Sequence, residues 1–556
     1  MPLRPSTPRT IAVLALCAMT VARGVGAQGP RGAGPDARPL PAGTLRISAG
    51  ATWDRTPEEY VGSGAGSLRG LGWRFSMDSL ASAALPTLGT VESLARTASG
   101  VPTLRASLGT LAAGVRTTRE TTPFEIEAGL TSRLSLSVRV PLVTATSRTS
   151  VRMNPAGREA TVGINPTFLS ATATSGNTLL AAQLDTAARA LDARLTTCAA
   201  QPAATGCAAV NANAGTARAA IAEATAFRAA MTALYGAGSA RGLPFIPTAG
   251  SAAQSAIDAR IAGFKATFSA LGIASITAAG PGGAAPLTAG SLQSVLQDSA
   301  YGIRSNGLVP TVYRGTGDIE VTGRYTWHDS YANATRTGSW RQRLWWRAAV
   351  AATVRTGASA RDGSADLVAL PLGNGGGFAI APIADVGIGT RASVTVSLRA
   401  ASTSAQTLRL RIPATRDAPF PTADRTASVT RTPGTQAAIG IYPRWTLTDA
   451  VAVAGYYGYE SEGADRYTGS TTVASPAGGT QTVTASVLDG LSERKEHRAG
   501  AFVTYSAAGG PVRHAAGWPL EVSLGHFQTT AATGGRVLKH AYDEVTVRWY
   551  WRPFGR

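Results

Sequence analysis

The sequence has no long apolar run beyond its first 27 residues. Arg4 and Arg9 precede an apolar segment at 11–22, and Val25-Gly26-Ala27 reads as a small-x-small cleavage site. This pattern predicts a signal peptide over residues 1–27 that is removed on export. No later stretch supplies the roughly 18 uncharged apolar residues of a membrane-spanning helix. We therefore expect an exported chain that is either soluble or a β-barrel, because a closed barrel also satisfies every backbone group in lipid.

Lysine is scarce although the chain is strongly basic. The formal net charge is +19, and Lys265, Lys495 and Lys539 are the only lysines. A basic balance can indicate nucleic acid, but an exported chain with arginines dispersed along its strands argues against that partner. Arginines at an outer rim would instead meet anionic lipid. We expect outer-membrane lipid and lipopolysaccharide as partners, and no nucleic acid.

Cysteine is almost absent. Cys17 belongs to the predicted signal peptide, which leaves Cys198 and Cys207 in the mature chain. A close pair in an exported protein predicts a disulfide. Two unpaired thiols are the alternative, and a redox role is disfavoured because the pair lies in a helix connection.

Residues for catalysis or metal binding are also sparse. The five histidines are isolated, with no HExxH motif and no spare cysteine ligands. Glu125 with Glu127, and Asp318 with Glu320, could act as paired acid and base. Arginines occupy the same faces of the predicted strands, however, so salt bridges across a polar lumen are the better interpretation. We predict no enzyme, no metal and no cofactor, and we expect these polar side chains to face a lumen: Glu125, Glu127, Arg139, Asp318, Glu320, Arg324, Arg341, Arg343, Arg347, Arg399 and Arg548.

What the sequence does contain is alternation with period two. Over 124–143 (FEIEAGLTSRLSLSVRVPLV), apolar residues alternate with polar ones on both sides of Thr131-Ser132-Arg133. Such a pattern predicts a β-hairpin with one apolar and one polar face. Similar segments recur from Gly315 to Trp551. The fold prediction is an all-β transmembrane antiparallel up-and-down barrel of 14 strands, or 12 if the early candidates Arg69–Met77 and Leu104–Thr117 fail.

Between the two strand-forming parts the period changes to three and four. Leu184, Ala188, Leu191 and Leu195 would share one helix face, and 221–231 and 257–271 repeat the pattern. We predict a large α-helical insertion in an external loop, with a helical hairpin stapled by the disulfide. The domain prediction is a signal peptide 1–27, a mobile lead-in 28–43, N-terminal strands 44–153, the insertion 154–308 and C-terminal strands 309–556.

Connection lengths and aromatic residues favour a bacterial outer membrane. The predicted turns near Thr131, Thr390 and Thr446 are short, whereas the joins at 357–377, 402–433 and 460–496 are long. Outer-membrane barrels have short periplasmic turns and long external loops, with aromatic girdles at both interfaces. Tryptophan and tyrosine lie near many strand ends. We expect the outer membrane of a Gram-negative-type bacterium, with the insertion outside.

Two motifs add a family resemblance. The pattern E-x-GLT-x-R-L-S-L-x-V-x-VP from Glu127 to Pro141, and G-x-GD-I-E-V from Gly315 to Val321, resemble outer-membrane barrels of the putative phenol-degradation (MetA-pathway) type. That family looks distantly similar to long-chain fatty acid transport porins. The resemblance implies a barrel that admits small apolar or aromatic molecules, and it covers the strands of roughly 104–552.

Three functions stay open at this point. The first is passage of small, apolar or aromatic compounds beneath an external helical lid. The second is a general porin that favours anions, and the third is a surface adhesion or scaffold protein anchored by its barrel. We favour the first because helices with wide apolar faces would suit a cap over an apolar cavity.

Overall fold

The computed structural model describes residues 34–551 except 63–65, 171–174, 274–275, 332–337, 359–361, 369, 371, 374, 417, 475–478 and 508–519. The predicted signal peptide lies outside these residues. Twelve long antiparallel strands form the main body: β1 Leu45–Thr56, β2 Leu111–Gly129, β3 Leu134–Met153, β4 Glu320–Asp329, β5 Leu344–Arg355, β6 Gly377–Ile388, β7 Ala392–Thr403, β8 Gln436–Thr446, β9 Val451–Glu462, β10 Arg494–Ser506, β11 Leu520–Leu538 and β12 Ala541–Trp551.

These strands close into a barrel. Each strand pairs with the next one along the chain, and β12 pairs with β1 so that Leu45 lies opposite Trp551. Closure leaves no free edge in the ring, which is why a barrel can stand in lipid. The predicted hairpin is formed by β2 and β3, with Phe124 opposite Val140.

The structure decides the strand number in favour of 12. The early candidate Arg69–Met77 lies outside the ring, as the end of strand Ser67–Gly70 followed by the 3₁₀ turn Leu71–Phe75. The candidate Leu104–Thr117 joins the ring only from Leu111 onward, as the start of β2. The N-terminal part of the chain therefore supplies three strands.

The described part of the chain contains ten further, short strands. Strand Thr311–Thr316 pairs with β3 above the start of β4, so β3 has two successive partners on one side. Glu58–Gly62 extends β11 and pairs with Ser67–Gly70. The others lie in the connections: Val162–Ile164, Phe245–Pro247, Gln406–Arg411, Thr426–Thr432, Arg466–Thr468, Ser470–Ala474 and Thr480–Thr484.

The two ends of the barrel differ in their connections. At one end, which we call the turn end, β2 joins β3 through 130–133, β6 joins β7 through 389–391 and β8 joins β9 through 447–450. At the other, the loop end, lie the long connections 57–110, 154–310, 356–376, 404–435 and 463–493. Two connections depart from this pattern, the long join 330–343 between β4 and β5 at the turn end and the two-residue join 539–540 between β11 and β12 at the loop end. The short turns and long joins that the sequence predicted are present, and their asymmetry is typical of outer-membrane barrels.

A helical domain stands at the loop end. Its helices are α1 Thr87–Ser99, α2 Ser175–Ala200, α3 Cys207–Ala212, α4 Ala214–Tyr235, α5 Ala252–Ala270 and α6 Ala289–Gln297. Helices α2 to α6 lie in the predicted insertion. Helix α1 comes from the connection between β1 and β2 and packs on α4 and α5, so the domain is built from two loops that are distant in sequence.

The predicted disulfide is present in this domain. Cys198 near the end of α2 and Cys207 at the start of α3 are bonded, with their Cα atoms 5.3 Å apart. The bridge closes the connection at the tip of the helical hairpin. Both sulfur atoms belong to side chains buried in the domain core, so the bond has a structural place, as the sequence predicted.

The barrel surface is inverted relative to a soluble protein. Large apolar side chains face outward and are exposed, among them Ile126 (55 %), Leu136 (43 %) and Trp346 (45 %). Charged side chains such as Glu127, Glu496 and Arg347 are buried inside. An outward apolar band around a polar interior is the surface of an outer-membrane barrel. Among the helices of the described residues, none has both the length and the hydropathy that crossing a bilayer requires.

Candidate functional site in the barrel lumen

Many of the predicted polar residues lie on the inward faces of their strands and meet in the lumen. Arg139 lies 3.9 Å from Glu320, Arg355 lies 3.9 Å from Asp318, and Arg548 lies 2.8 Å from Glu521. Arg347 donates to Asp329 at 2.8 Å. Arg399 is half-buried on the inner face of β7. Most of the predicted positions thus belong to the polar inner wall.

Two predicted lumen residues have a different place. Arg341 and Arg343 belong to the short helix α7, Trp340–Arg343, which precedes β5 at the turn end. The sequence read this segment as strand because Trp340, Leu344 and Trp346 alternate. A capping box between Ser339 and Gln342 instead starts a helical turn there. Arg341 is exposed and stacks on Trp340, whereas Arg343 is half-buried beside the start of β5.

A segment at the N-terminus occupies the turn end of the lumen. We call residues 34–44 the inner segment. Ala37 donates its N–H to Asp385 at 3.0 Å and accepts a hydrogen bond from Thr326 at 2.9 Å. Ala37 and Leu40 are fully buried, and Gly34 lies against the ring of Tyr442. The sequence predicted a mobile lead-in over 28–43, whereas its second half lies against the inner wall.

The inner segment crosses the lumen from one wall to the other. It begins beside β2, where Gly43 N–H donates to Gly129 O at 2.9 Å. It then meets β4 and β6 at Ala37 and reaches β8 at Tyr442. Because β2 and β8 are six positions apart in a ring of twelve, the segment spans the barrel.

Charged residues surround the inner segment. Arg324 lies 3.7 Å from Asp36 and 3.8 Å from Glu127. Glu127 also forms an ion pair with Arg46 and accepts a hydrogen bond from Ser135 at 2.7 Å. These groups lie in a low-dielectric interior, where unpaired charges are costly and paired ones specify one arrangement.

A row of neighbouring aromatic rings follows the wall from β8 to β12. Ring centroids are 4.9 Å apart for Tyr442 and Tyr456, 5.5 Å for Tyr456 and Phe527, and 4.9 Å for Phe527 and Tyr542. Glycine permits this packing, since a Cβ atom at Gly500 would lie 2.5 Å from the Phe527 ring. We call Tyr442, Tyr456, Phe527 and Tyr542 the aromatic stripe.

An apolar cavity of about 250 Å³ lies at the loop end of the lumen. Its walls are the inner faces of β1, β2, β3 and the region where β11 meets β12. Its apolar lining consists of Leu71, Phe75, Val115, Ala145, Leu367, Val368, Leu370 and Leu538. Its polar lining consists of Asp54, Thr56, Arg74, Thr117, Thr118, Arg119, Arg536 and His540. Asp54 and His540 are joined by a 2.6 Å contact. His540 precedes Tyr542 on the same face of the chain, so the aromatic stripe begins beside the cavity.

The cavity is roofed by two elements other than the predicted helical lid. One is the 3₁₀ turn Leu71–Phe75, where a Cβ atom at Gly72 would clash with Ala113 O at 1.9 Å. The other is the described part of 362–373, which we call the cap loop. Arg119 donates to Leu372 O at 2.9 Å, and Tyr313 donates to Asp366 at 3.0 Å. The cavity lining includes no residue of 154–308 among those described.

A second cavity, of about 180 Å³, lies on the opposite wall and is polar. Glu496 and Arg498 form a two-bonded ion pair at 2.8 and 2.6 Å. Arg498 also lies 3.6 Å from Glu460, and Arg399 completes the charged lining. This charged cavity also borders the aromatic stripe, since Tyr442 and Tyr456 belong to its lining.

Several residues of the lumen were not predicted from the sequence. Arg46, Glu496 and Glu521 have the parity of the predicted set, and counting along β1, β10 and β11 would have found them. The aromatic stripe was not predicted because strand patterning does not show which rings stack. Across the described ranges, no group of three histidine, cysteine or acidic side chains is placed to hold a metal ion.

No family model and no curated protein matches this sequence. Solved structures do match. The COG4313 outer membrane channel from Pseudomonas putida F1 is 8 % identical, with 93 % of this chain and 99 % of that chain covered and a TM-score of 0.37.

Two further solved structures also match. A FadL homologue from Pseudomonas aeruginosa is 9 % identical, with 92 % of this chain and 90 % of that chain covered and a TM-score of 0.26. The toluene transporter TodX of P. putida is 9 % identical, with 92 % and 91 % covered and a TM-score of 0.23.

Proposed function

We propose that the barrel passes small apolar compounds, of about one aromatic ring in size, from the loop end into the lumen. The observation that carries this proposal is the apolar cavity of about 250 Å³ between the barrel wall and the cap loop. An apolar cavity of about 150 Å³ is enough to hold benzene. Leucine, valine and phenylalanine side chains supply most of the lining surface and favour an uncharged guest, although Arg74, Arg119 and Arg536 also line the cavity.

The aromatic stripe supports a route away from the cavity. It starts at Tyr542, two residues beyond His540 of the cavity lining, and ends at Tyr442 beneath Gly34 of the inner segment. Successive rings at about 5 Å offer a planar guest similar contacts at each step. A guest would thus be passed along the wall from the cavity toward the turn end, where the inner segment must shift to release it.

We assign gating at the loop end to the cap loop and the 3₁₀ turn. Both contribute apolar side chains to the cavity, namely Leu71, Phe75, Leu367, Val368 and Leu370. The helical domain packs mainly on itself and on these elements. The helical domain would therefore hold the cap loop and the 3₁₀ turn in place. In this proposal these two elements, rather than the predicted helical lid, cover the cavity.

The test fills the cavity. Ala145 is buried on the inner face of β3 and lines the cavity, so Ala145→Phe should occupy its volume. We expect toluene uptake into proteoliposomes to fall about tenfold or more, because an added ring leaves too little room for a guest. The matched control is Ala437→Phe on the exposed outer face of β8, which should leave uptake unchanged.

Both variants must first show the folded, heat-modifiable barrel on gels. Wild-type uptake by folded Ala145→Phe would refute the proposed route. Equal uptake of toluene and benzoate by the wild type would instead favour the anion-selective porin. That alternative has less support, since the inward guanidinium groups of Arg46, Arg498 and Arg548 are paired with carboxylates.

A further inference from the structure

Four exposed arginines cluster on the outer face of the barrel, toward the loop end. Arg116 on β2 lies directly opposite Arg148 on β3. Arg55 on β1 lies opposite Thr118, one outward position from Arg116. Arg314, on strand Thr311–Thr316, lies opposite Thr144. We call Arg55, Arg116, Arg148 and Arg314 the basic patch.

The basic patch carries positive charge that neighbouring side chains do not neutralise. Directly opposed side chains of an antiparallel pair have Cβ atoms about 5 Å apart, and like charges there are destabilising. All four guanidinium groups are exposed, and none forms an ion pair or side-chain hydrogen bond with another residue that the structure describes. Glu120 is the nearest outward carboxylate on these strands, opposite Thr144, so four positive charges face one negative charge.

The outward residues at the loop-end termini of β5 to β8 are uncharged. Near the loop end, β5 presents Val354, which is 62 % exposed, and β6 presents Phe378, which is 56 % exposed. Serine and alanine take the corresponding outward places on β7 and β8, at Ser402 and Ala437. The positive charge is therefore concentrated on the face formed by β1, β2, β3 and strand Thr311–Thr316.

The patch begins just above the apolar band. On β3 the exposed outward residues Leu134, Leu136, Val138 and Leu142 belong to that band, and Thr144, opposite Arg314, is the next outward position. Arg148 lies six residues beyond Leu142, or about 20 Å along the strand. With a strand tilt of about 40°, the arginines stand roughly 5 to 15 Å above the apolar band.

We propose that the basic patch binds the phosphorylated saccharide headgroup of a glycolipid in the outer leaflet. Guanidinium groups recognise phosphate with paired, charge-assisted hydrogen bonds. Their spread of heights matches a headgroup that carries phosphates at more than one level, and exceeds what the single phosphate of a phospholipid would reach. The opposition of Arg116 and Arg148 then becomes favourable, because one phosphate can lie between them.

The experiment measures binding of lipid A to the full-length barrel in detergent micelles. The variant Arg116→Gln/Arg148→Gln removes the opposed pair. The matched control Arg133→Gln/Arg391→Gln removes two exposed arginines at the turn end. We expect the Kd for lipid A to rise about tenfold or more in the first variant, since each arginine near an anionic surface contributes to affinity, and to stay unchanged in the control.

Other probes distinguish the sources of phosphate. Dephosphorylated lipid A and phosphatidylglycerol should bind the wild type weakly, and 10 mM inorganic phosphate should not displace lipid A. Equal binding of dephosphorylated lipid A would overturn the proposal, as would lipid A binding by the patch variant at the wild-type Kd. Displacement by inorganic phosphate would indicate a site for the free ion and would also overturn it. If the variant does not fold, the wild-type comparison of the two lipid A forms decides.

Discussion

The turn end of the lumen is closed by polar contacts, and the loop end by apolar ones. At the turn end the inner segment is held by Asp385, Thr326 and the ion pairs of Arg324. At the loop end, leucine, valine and phenylalanine side chains meet around a cavity, and the two hydrogen bonds described above, from Arg119 and Tyr313, join the cap loop to the barrel strands. Polar contacts are directional and specify one position, whereas apolar contacts tolerate repacking. An apolar guest could therefore enter at the loop end without a specific partner, and its release would require the breaking of particular hydrogen bonds.

The largest expected effect comes from removing the polar closure. Deleting residues 34–41 takes away the part of the chain that spans the barrel. We expect the single-channel conductance of the refolded protein in a planar bilayer to rise about tenfold, because a 12-stranded wall alone is wider than the 8-stranded barrels that side chains fill. The polar cavity lined by Glu496 and Arg498 offers ions a path on the wall away from the cap loop.

The apolar closure supplies the control for this deletion. Ala145→Phe changes the cavity and leaves the inner segment intact, so its conductance should equal that of the wild type. If the deletion variant is folded and its conductance is unchanged, the loop end rather than the inner segment closes the barrel to ions, and the contrast between the two ends is lost.

A smaller effect is expected from loss of the disulfide bridge, which should lower the stability of the helical domain and leave the cap loop unchanged. Replacing Cys198 and Cys207 by serine opens the bridge between α2 and α3, which closes a loop with a sequence separation of 9. The free energy of unfolding of the helical domain should fall by about 2 to 3 kcal/mol in the chain-entropy model. Toluene uptake should be unchanged, since neither cysteine lines the cavity.

Thermal unfolding monitored by circular dichroism at the helix band measures the first outcome, with the reduced wild type as the matched reference. A fall in toluene uptake to the level of Ala145→Phe would show that the helices take a direct part in gating. That result would identify the helical domain as a lid and would make it part of the apolar closure at the loop end.

The smallest expected effect concerns Glu92 in α1, which ties this helix to the following connection. Burial alone would raise the pKa of Glu92, but the N–H of Ala106 and the guanidinium groups of Arg105 and Arg96 lower it below its ordinary range. A lowered pKa means that the carboxylate stabilises the fold above its ordinary pKa and loses that contribution as the pH falls. Glu92→Gln should cost about 1 kcal/mol at pH 7 and almost nothing once the wild-type carboxyl is protonated.

Unfolding of the helical domain at pH 7 and pH 3 measures this difference. Glu223→Gln is a suitable control, because Glu223 is exposed on α4. A penalty for Glu92→Gln that is the same at both pH values would show that shape rather than charge holds α1 in place. Toluene uptake should follow the wild type in either case, since α1 contributes no side chain to the cavity.

Strand patterning predicted most of the barrel and failed where the chain departs from regular alternation. The hairpin over 124–143 is correct because one face meets an apolar phase and the other the lumen, which requires period two. Arg341 and Arg343 were predicted as strand, but a capping box at Ser339 places them in a helical turn despite the alternation of the flanking tryptophans. Segment 69–77 was misread as strand because its apolar residues, Leu71 and Phe75, pack under the helical domain.

Local sequence determined the alternating strands, the helices of 154–308 and the pairing of Cys198 with Cys207. It also predicts the export signal. Each depends on neighbours a few residues apart, through side-chain period, caps or the length of one loop. Only the tertiary structure decided that the barrel has 12 strands, that α1 joins the later helices, and that the inner segment crosses the lumen. Those outcomes, like the meeting of Leu71 with Leu367 around one cavity, depend on closure of the ring, which brings together residues hundreds of positions apart.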